Sequence, residues 1–208
     1  MDLEPVLTWW LLKEFTHIID QANLLSDVMA CETSTNKLVL INVMIFIWRA
    51  RRKRIPVLIE LDKRGIYMGS TQSPVCDDYL ESIDHVLFLC SFAKDIWVRI
   101  FNWWGAILPP NLSFERLLDG AGQTISSPMT KDRWKAVIWI ACYYIWHHRN
   151  EVVFNNINKG AAVVSNEIQI KSYEWIYNRS NKSCFDWLPW LSSPQAIGGP
   201  NANRCGIG

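Results

Sequence analysis

Apolar residues recur at helical spacing through most of the chain. In residues 9–30, Trp9, Trp10, Leu12, Phe15, Ile18, Ile19, Leu24, Leu25 and Val28 suit helical turns, with a break near residues 20–23. The Ser- and Thr-rich residues 31–36 predict a loop. Ile41, Met44, Ile45 and Trp48 fall at i, i+3, i+4 and i+7 and predict a helix over residues 38–54. It ends before Pro56, because the residue preceding a proline avoids the α region. A further turn or two over residues 57–63 is stopped by Gly65, and residues 69–84 read as a loop or short hairpin. Asp84 is placed to cap a helix over residues 85–104, whose core face carries Leu89, Ala93, Ile96, Trp97 and Ile100. Gly105 and Pro109-Pro110 end it.

A short helix over residues 113–118 and a linker over 120–127 lead to Pro128 and the longest periodic segment, residues 131–154. There Trp134, Val137, Ile138, Ala141 and Ile145 form one stripe, and the surplus of aromatics predicts burial on more than one side. A last helix covers residues 163–179, and residues 195–208, rich in glycine, predict a disordered tail. The expected fold class is mainly α. A small helical lobe over residues 37–119 is followed by a helical, Trp-rich region over residues 120–194, and residues 1–36 belong to something upstream.

Composition sharpens this picture at two points. With 50% hydrophobic residues and a net charge of +1 in 208 residues, the chain is too apolar and too little charged for global disorder. Its 12 Trp predict a core built largely of indole. The apolar runs at residues 38–48 and 136–146 are 11 residues each, against the ~20 of a membrane-spanning helix, so no membrane partner is expected. No basic region precedes an apolar stretch at the start, and the six Cys are scattered. An intracellular protein of nucleus or cytoplasm with free or metal-bound thiols is expected, not a secreted one.

Charge is informative locally. Arg49, Arg51, Arg52, Lys53 and Arg54 put five basic residues in six positions, and residues 49–64 carry a net +5. Such a patch can track phosphates of RNA or DNA, or it can be a solvated helix end complementing the macrodipole. Trp103-Trp104 and the aromatics of residues 139–146 could stack on bases, but helical spacing in so apolar a context favours core. His147 and His148 are neighbours on a helix, point about 100° apart and read as surface residues.

One cluster has metal-ligand logic: Cys76, His85 and Cys90, spaced Cys-x8-His-x4-Cys. Zinc takes thiolate and imidazole in a tetrahedron, and a loop feeding a helix can converge such groups. Three residues before Cys76, where a knuckle would place a fourth ligand, stands Ser73, whose hydroxyl is a poor zinc ligand. Asp77 and Glu81 are the nearest other groups able to fill the gap. Taken alone, the cluster is either a metal site one ligand short or a helix histidine beside two buried thiols.

The order of motifs supplies context. Asn42-Val43, Trp48-Arg49-Ala50, Arg54-Ile55-Pro56, Arg64-Gly65-Ile66, Pro74-Val75-Cys76, Glu81-Ser82, Asp84-His85, Leu87-Phe88, Cys90 and Trp97 follow one another as in the zinc-binding domain of plant LINE-type (non-LTR retrotransposon) reverse transcriptases, which the chain resembles. Downstream, Trp146, Arg149-Asn150 and Phe154, then Trp187, Trp190-Leu191 and Pro194, are similar to the segments that follow that domain. The resemblance implies a zinc-knuckle fold with Cys76, His85 and Cys90 as ligands, weakened by Ser73 in place of the first family Cys. It implies a C-terminal piece of a retroelement polyprotein whose polymerase domain is its natural partner. No Tyr-x-Asp-Asp, Gly-x-Ser-x-Gly or His-Glu-x-x-His motif occurs, so no catalytic residue is expected. Two functions follow: a non-catalytic zinc-binding accessory module that assists nucleic-acid binding, or a relic helical domain with a lapsed metal site.

Overall fold

The computed structural model describes residues 36–119, 127–180 and 186–197. The helices expected in residues 9–30, the loop before Asn36 and most of the 120–127 linker lie outside the described residues. The described residues form seven α-helices: α1 (Ile41–Arg51), α2 (Leu58–Asp62), α3 (Ser91–Trp104), α4 (Phe114–Asp119), α5 (Pro128–Asn155), α6 (Ala161–Arg179) and α7 (Trp187–Ser192). A π-helical turn (His85–Leu89) precedes α3, and a 3-10 turn (Pro194–Ala196) follows α7. Among the described residues there is no strand, only a bridge between Gln72 and Leu80. The chain is mainly α, as its periodicity predicts.

Helix α5 is the spine. Pro128 sits in its first turn, where a missing N–H costs nothing, and its 28 residues extend for about 42 Å. Trp134, Val137, Ile138, Ala141 and Ile145 are all buried, and so are Ala136, Trp139, Ile140 and Cys142 on other sides of the same helix. It is covered by α6, α1, α4 and the π-helical turn, while α3 packs on α6. One hydrophobic core therefore draws on residues from Val39 to Ile197, and the two stretches expected as separate lobes share it.

Tryptophans tie the elements together through both ring and N–H. Trp104 lies 5.0 Å from Trp134 and 6.0 Å from Trp190, centroid to centroid. Indole N–H groups donate to main-chain carbonyls: Trp97 to Leu87, Trp134 to Leu117, Trp103 to Trp190 and Trp190 to Gln169. Each such bond spares a buried donor the cost of desolvation without a partner. Of the side chains suggested as base-stacking candidates, Trp104, Trp139 and Trp146 are buried in this core, while Trp103, Tyr143 and Tyr144 are half-buried against it.

Three expectations change. Helix α1 is shorter than residues 38–54. Of the expected stripe, Ile45 and Trp48 are buried and Met44 is half-buried, but Ile41 is 37% exposed, and the shared core takes Val43, Phe46, Ile47 and Ala50 from the same helix. The run is apolar on nearly every side, so periodicity alone does not select the face. The helix expected over residues 85–104 is broken at Cys90, whose ψ of 140° leaves the helical region. Residues 195–197, expected in the disordered tail, have a defined place. Pro194–Ala196 form a turn packed on α3, and Arg133 of α5 donates from Nη1 to the carbonyl of Ile197 at 2.6 Å. Residues 198–208 lie outside the described residues.

Candidate metal centre

The site is built where a tight loop meets the broken helix. Residues 71–81 fold back on themselves: Ser73 N–H donates to the Tyr79 carbonyl at 2.8 Å, and Glu81 N–H donates to that of Thr71 at 2.8 Å. Within this loop Asp77 N–H donates to the Ser73 carbonyl at 2.9 Å, and Asp77 has a φ of 55°. That left-handed residue closes the turn and leaves Cys76 at its apex. Asp tolerates this conformation better than most residues because its short side chain bonds locally.

His85 comes from the start of the π-helical turn. Ser82, not Asp84, caps it: Ser82 Oγ accepts from His85 N–H at 3.1 Å, whereas Asp84 itself has helical φ and ψ and makes no side-chain cap. The capping hydroxyl lies three residues before the donor it satisfies, as N-cap geometry requires. Cys90 ends the turn by donating its N–H to the His85 carbonyl at 2.8 Å, five residues back. Its extended backbone then starts α3, with Lys94 N–H donating to the Cys90 carbonyl at 2.9 Å. The break thus sets both ends of a ligand pair: it changes the direction of the chain at the residue that carries the second thiol.

The ligand atoms of Cys76, His85 and Cys90 all lie within 4.8 Å of one another, and Cys76 Sγ is 3.2 Å from His85 Nε2. Ligands on a tetrahedral zinc, with bonds of about 2.3 Å to sulfur and 2.0–2.1 Å to nitrogen, stand roughly 3.5–3.8 Å apart. The three side chains fit such an ion with small side-chain adjustments. His85 and Cys90 are buried, and Cys76 is partly so. Burial holds the His85 imidazole below its ordinary pKa, partly opposed by Glu81, and so keeps it in the neutral form that binds metal. Burial raises the Cys90 thiol, and the neighbouring Cys76 adds to this, so a cation must displace a proton there.

The fourth position is the weak point. Ser73 is 1% exposed, and its Oγ accepts from Val75 N–H at 3.4 Å, so it closes the turn without contributing a thiolate. Neither carboxylate considered for the gap joins the cluster. Asp77 is exposed, and Glu81 is wholly buried in other bonds. Its Oε1 accepts from Arg149 Nε at 2.6 Å and its Oε2 from Arg149 Nη2 at 2.7 Å, while Oε2 also accepts from Leu58 N–H at 2.7 Å. Glu81 therefore braces the site: it fastens the end of the ligand loop to the start of α2 and to the spine α5.

Arg51, Arg52, Lys53 and Arg54 are exposed at the C-terminal end of α1, and Arg49 is half-buried. The end is a Schellman-type closure, with Lys53 N–H donating to Ala50 and Arg54 N–H to Arg49. Lys53, at φ 55°, occupies the left-handed position usually given to glycine. The guanidinium carbons of Arg52 and Arg54 lie 4.5 Å and 5.8 Å from the Trp48 ring centroid. This stacking fixes two of the cations on one indole, which periodicity did not reveal.

His148 departs from its expected surface position. It is 1% exposed, stacked on Phe92 with centroids 4.2 Å apart, and neither ring nitrogen has a hydrogen-bond partner. His147 is exposed, as expected, with Nδ1 3.8 Å from Glu151 Oε1. Cys76, Cys90 and Cys142 carry free thiols, and no helix among the described residues is long and apolar enough to cross a membrane.

Residues 21–97 match the family described as zinc-binding in reverse transcriptase. The match spans the ligand loop, the π-helical turn, the basic end of α1 and Trp97, and it stops before α4–α7. No curated protein and no solved structure matches the chain.

Proposed function

We propose that this chain is a non-catalytic, zinc-binding accessory module of the kind associated with reverse transcriptases, and that it assists nucleic-acid binding. The observation that carries the reading is the convergence of Cys76, His85 and Cys90 within 4.8 Å, inside the segment that matches the zinc-binding family. Zinc would be held by two thiolates and one imidazole, with water completing the tetrahedron. The ion would be structural. It would cross-link the ligand loop to the π-helical turn and stabilise the fold by favouring the state that binds it. The exposed cations at residues 51–54 supply phosphate contacts, and the Trp48 platform holds two of them in place. A polymerase domain, a plant retrotransposon origin and a nuclear or cytoplasmic setting belong to this reading through the resemblance of the motifs.

Metal analysis of purified protein tests it. About one zinc per chain is expected, lost on Cys90→Ala, with the metal-free protein melting at a lower temperature. A chain that takes up no zinc, and whose thermal midpoint ignores added zinc, would instead be a structural relic with a degenerate site.

A further inference from the structure

On the far side of α5 from its core stripe, the start of α1, the middle of α5 and the last third of α6 enclose a pocket of about 220 Å³. Its walls include Leu40, Asn42, Tyr143, Tyr144, His147 and Trp175. The centroids of Tyr143, Tyr144 and His147 form a triangle of 6.0, 6.4 and 6.2 Å, and Trp175 stands 6.4 Å from Tyr144. One point can therefore lie within about 6 Å of several ring centroids, the range over which a ring attracts a cation. The rings are tilted to one another by 38° to 74°. They make a cup and not a slot. A planar base would stack on one of them, whereas a roughly spherical group touches all.

Charge around the cup favours a cation. Glu151 lies beside His147, and Glu167 and Glu174 act on Tyr144; burial first, then these carboxylates, push its phenol up to about 12. Against three carboxylates stand two ammonium groups. Lys159 bridges Glu151 and Glu167, and Lys171 pairs with Glu174. The wall offers only the Asn42 amide, two phenols and the His147 ring as side-chain acceptors, and no carboxylate lines it. A plain ammonium is strongly hydrated, so the fitting cation carries apolar substituents on nitrogen. The volume is below the about 300–1,000 Å³ of drug-sized sites, which restricts the occupant to a head group.

We propose that this cup binds a trimethylammonium group. The inference stands apart from the zinc and nucleic-acid reading. Two sources share this chemistry, a trimethylated lysine side chain and free choline. The test is ligand-observed NMR on the full chain with tetramethylammonium, choline and Nε-trimethyl-lysine, with lysine and the neutral choline isostere 3,3-dimethylbutanol as controls. The N-methyl resonances of the three cations should move upfield and saturate, because the methyls sit over ring faces. Lysine and dimethylbutanol should not shift. The tighter of choline and trimethyl-lysine identifies the source. Trp175→Ala and Tyr144→Ala should each weaken binding about 3- to 30-fold, within the span of a cation–π contact, while Trp175→Phe keeps most of it and all three retain a cooperative melt. An equal shift for dimethylbutanol would make the cup a merely apolar pocket. Displacement by cytidine monophosphate at lower concentration than trimethyl-lysine would make it a base site. No shift with any cation would leave the rings as packing alone and overturn the proposal.

Discussion

Glu81 and Arg149 form a buried, two-pronged ion pair across 68 residues of sequence, with bonds of 2.6 and 2.7 Å. The carboxylate is wholly buried and the guanidinium side chain is 5% exposed. Two charges taken out of water need close geometry and further bonds to offset their desolvation, and here Leu58 N–H supplies one. The pair joins the loop that carries Cys76 to the helix that organises the core.

Breaking the pair from either side should therefore be severe. Arg149→Met and Glu81→Gln should each lower unfolding stability by about 3–5 kcal/mol, because each leaves the partner buried without its counter-charge. The double variant should cost clearly less than the two single losses together, since it removes both charges. Urea unfolding of the four proteins measures this, and strict additivity would show that the two side chains do not stabilise each other. Arg149→Met should also weaken zinc, because the ligand loop loses its brace.

The helices were legible in the sequence wherever one stripe dominated. Trp134, Val137, Ile138, Ala141 and Ile145 announced α5, and Gly105, at φ 73°, marked the end of α3. The ligand trio was legible from residue type and spacing. What periodicity could not reveal is how the trio is assembled. The π-helical turn that ends at Cys90 has no local signature, because Leu87, Phe88 and Ala93 would pack as well on a continuous helix. The Glu81–Arg149 pair joins two motifs that were visible separately, but nothing in the spacing says that they meet. His148 reads as a surface residue because adjacent histidines on a helix point about 100° apart and do not converge on a metal. One step of about 100° along the helix turns it under Phe92 instead.

His148 gives the fold an acid-sensitive point. Burial holds its imidazole below the ordinary value; Glu151 and Glu167 oppose this weakly, and Lys159 and His147 add to it. The unfolded chain takes up a proton near pH 6.5 while the folded chain does not, so stability is full above about pH 6.5 and falls as pH drops below it. The slope reaches at most about 1.4 kcal/mol per pH unit for one proton. Replacing His148 by Phe should flatten that slope in zinc-free protein, leaving the part that comes from His85, which is depressed in the same direction. Denaturant unfolding between pH 7 and 5 measures it. An unchanged slope would mean that the ring is protonated as readily in the fold as outside it.

The basic end of α1 makes a salt-dependent prediction. If Arg51, Arg52 and Lys53 each contact a phosphate, changing all three to Ala should reduce the slope of log affinity against log salt by roughly 2–3, at ~0.7–0.9 per contact. Filter binding to single- and double-stranded probes over a salt series measures the slope. If wild type and variant have the same slope, these cations are a solvated helix end.

The measurement that bears most directly on the metal centre is competition for zinc between the protein and a chromophoric chelator, with wild type and Ser73→Cys side by side. Three protein ligands and one water should hold zinc, but more weakly than a closed four-ligand site, whose metal contributes about 10–16 kcal/mol to folding at neutral pH. Ser73 lies in the turn that carries Cys76, three residues before it, the spacing at which a knuckle places its first two ligands, so Ser73→Cys is the substitution that offers a fourth thiolate. The account predicts that Ser73→Cys binds zinc more tightly than wild type, by at least an order of magnitude, and melts at a higher temperature only when zinc is present. Equal affinities in the two proteins would contradict it, whether another group already fills the fourth position or the cluster takes no metal at all.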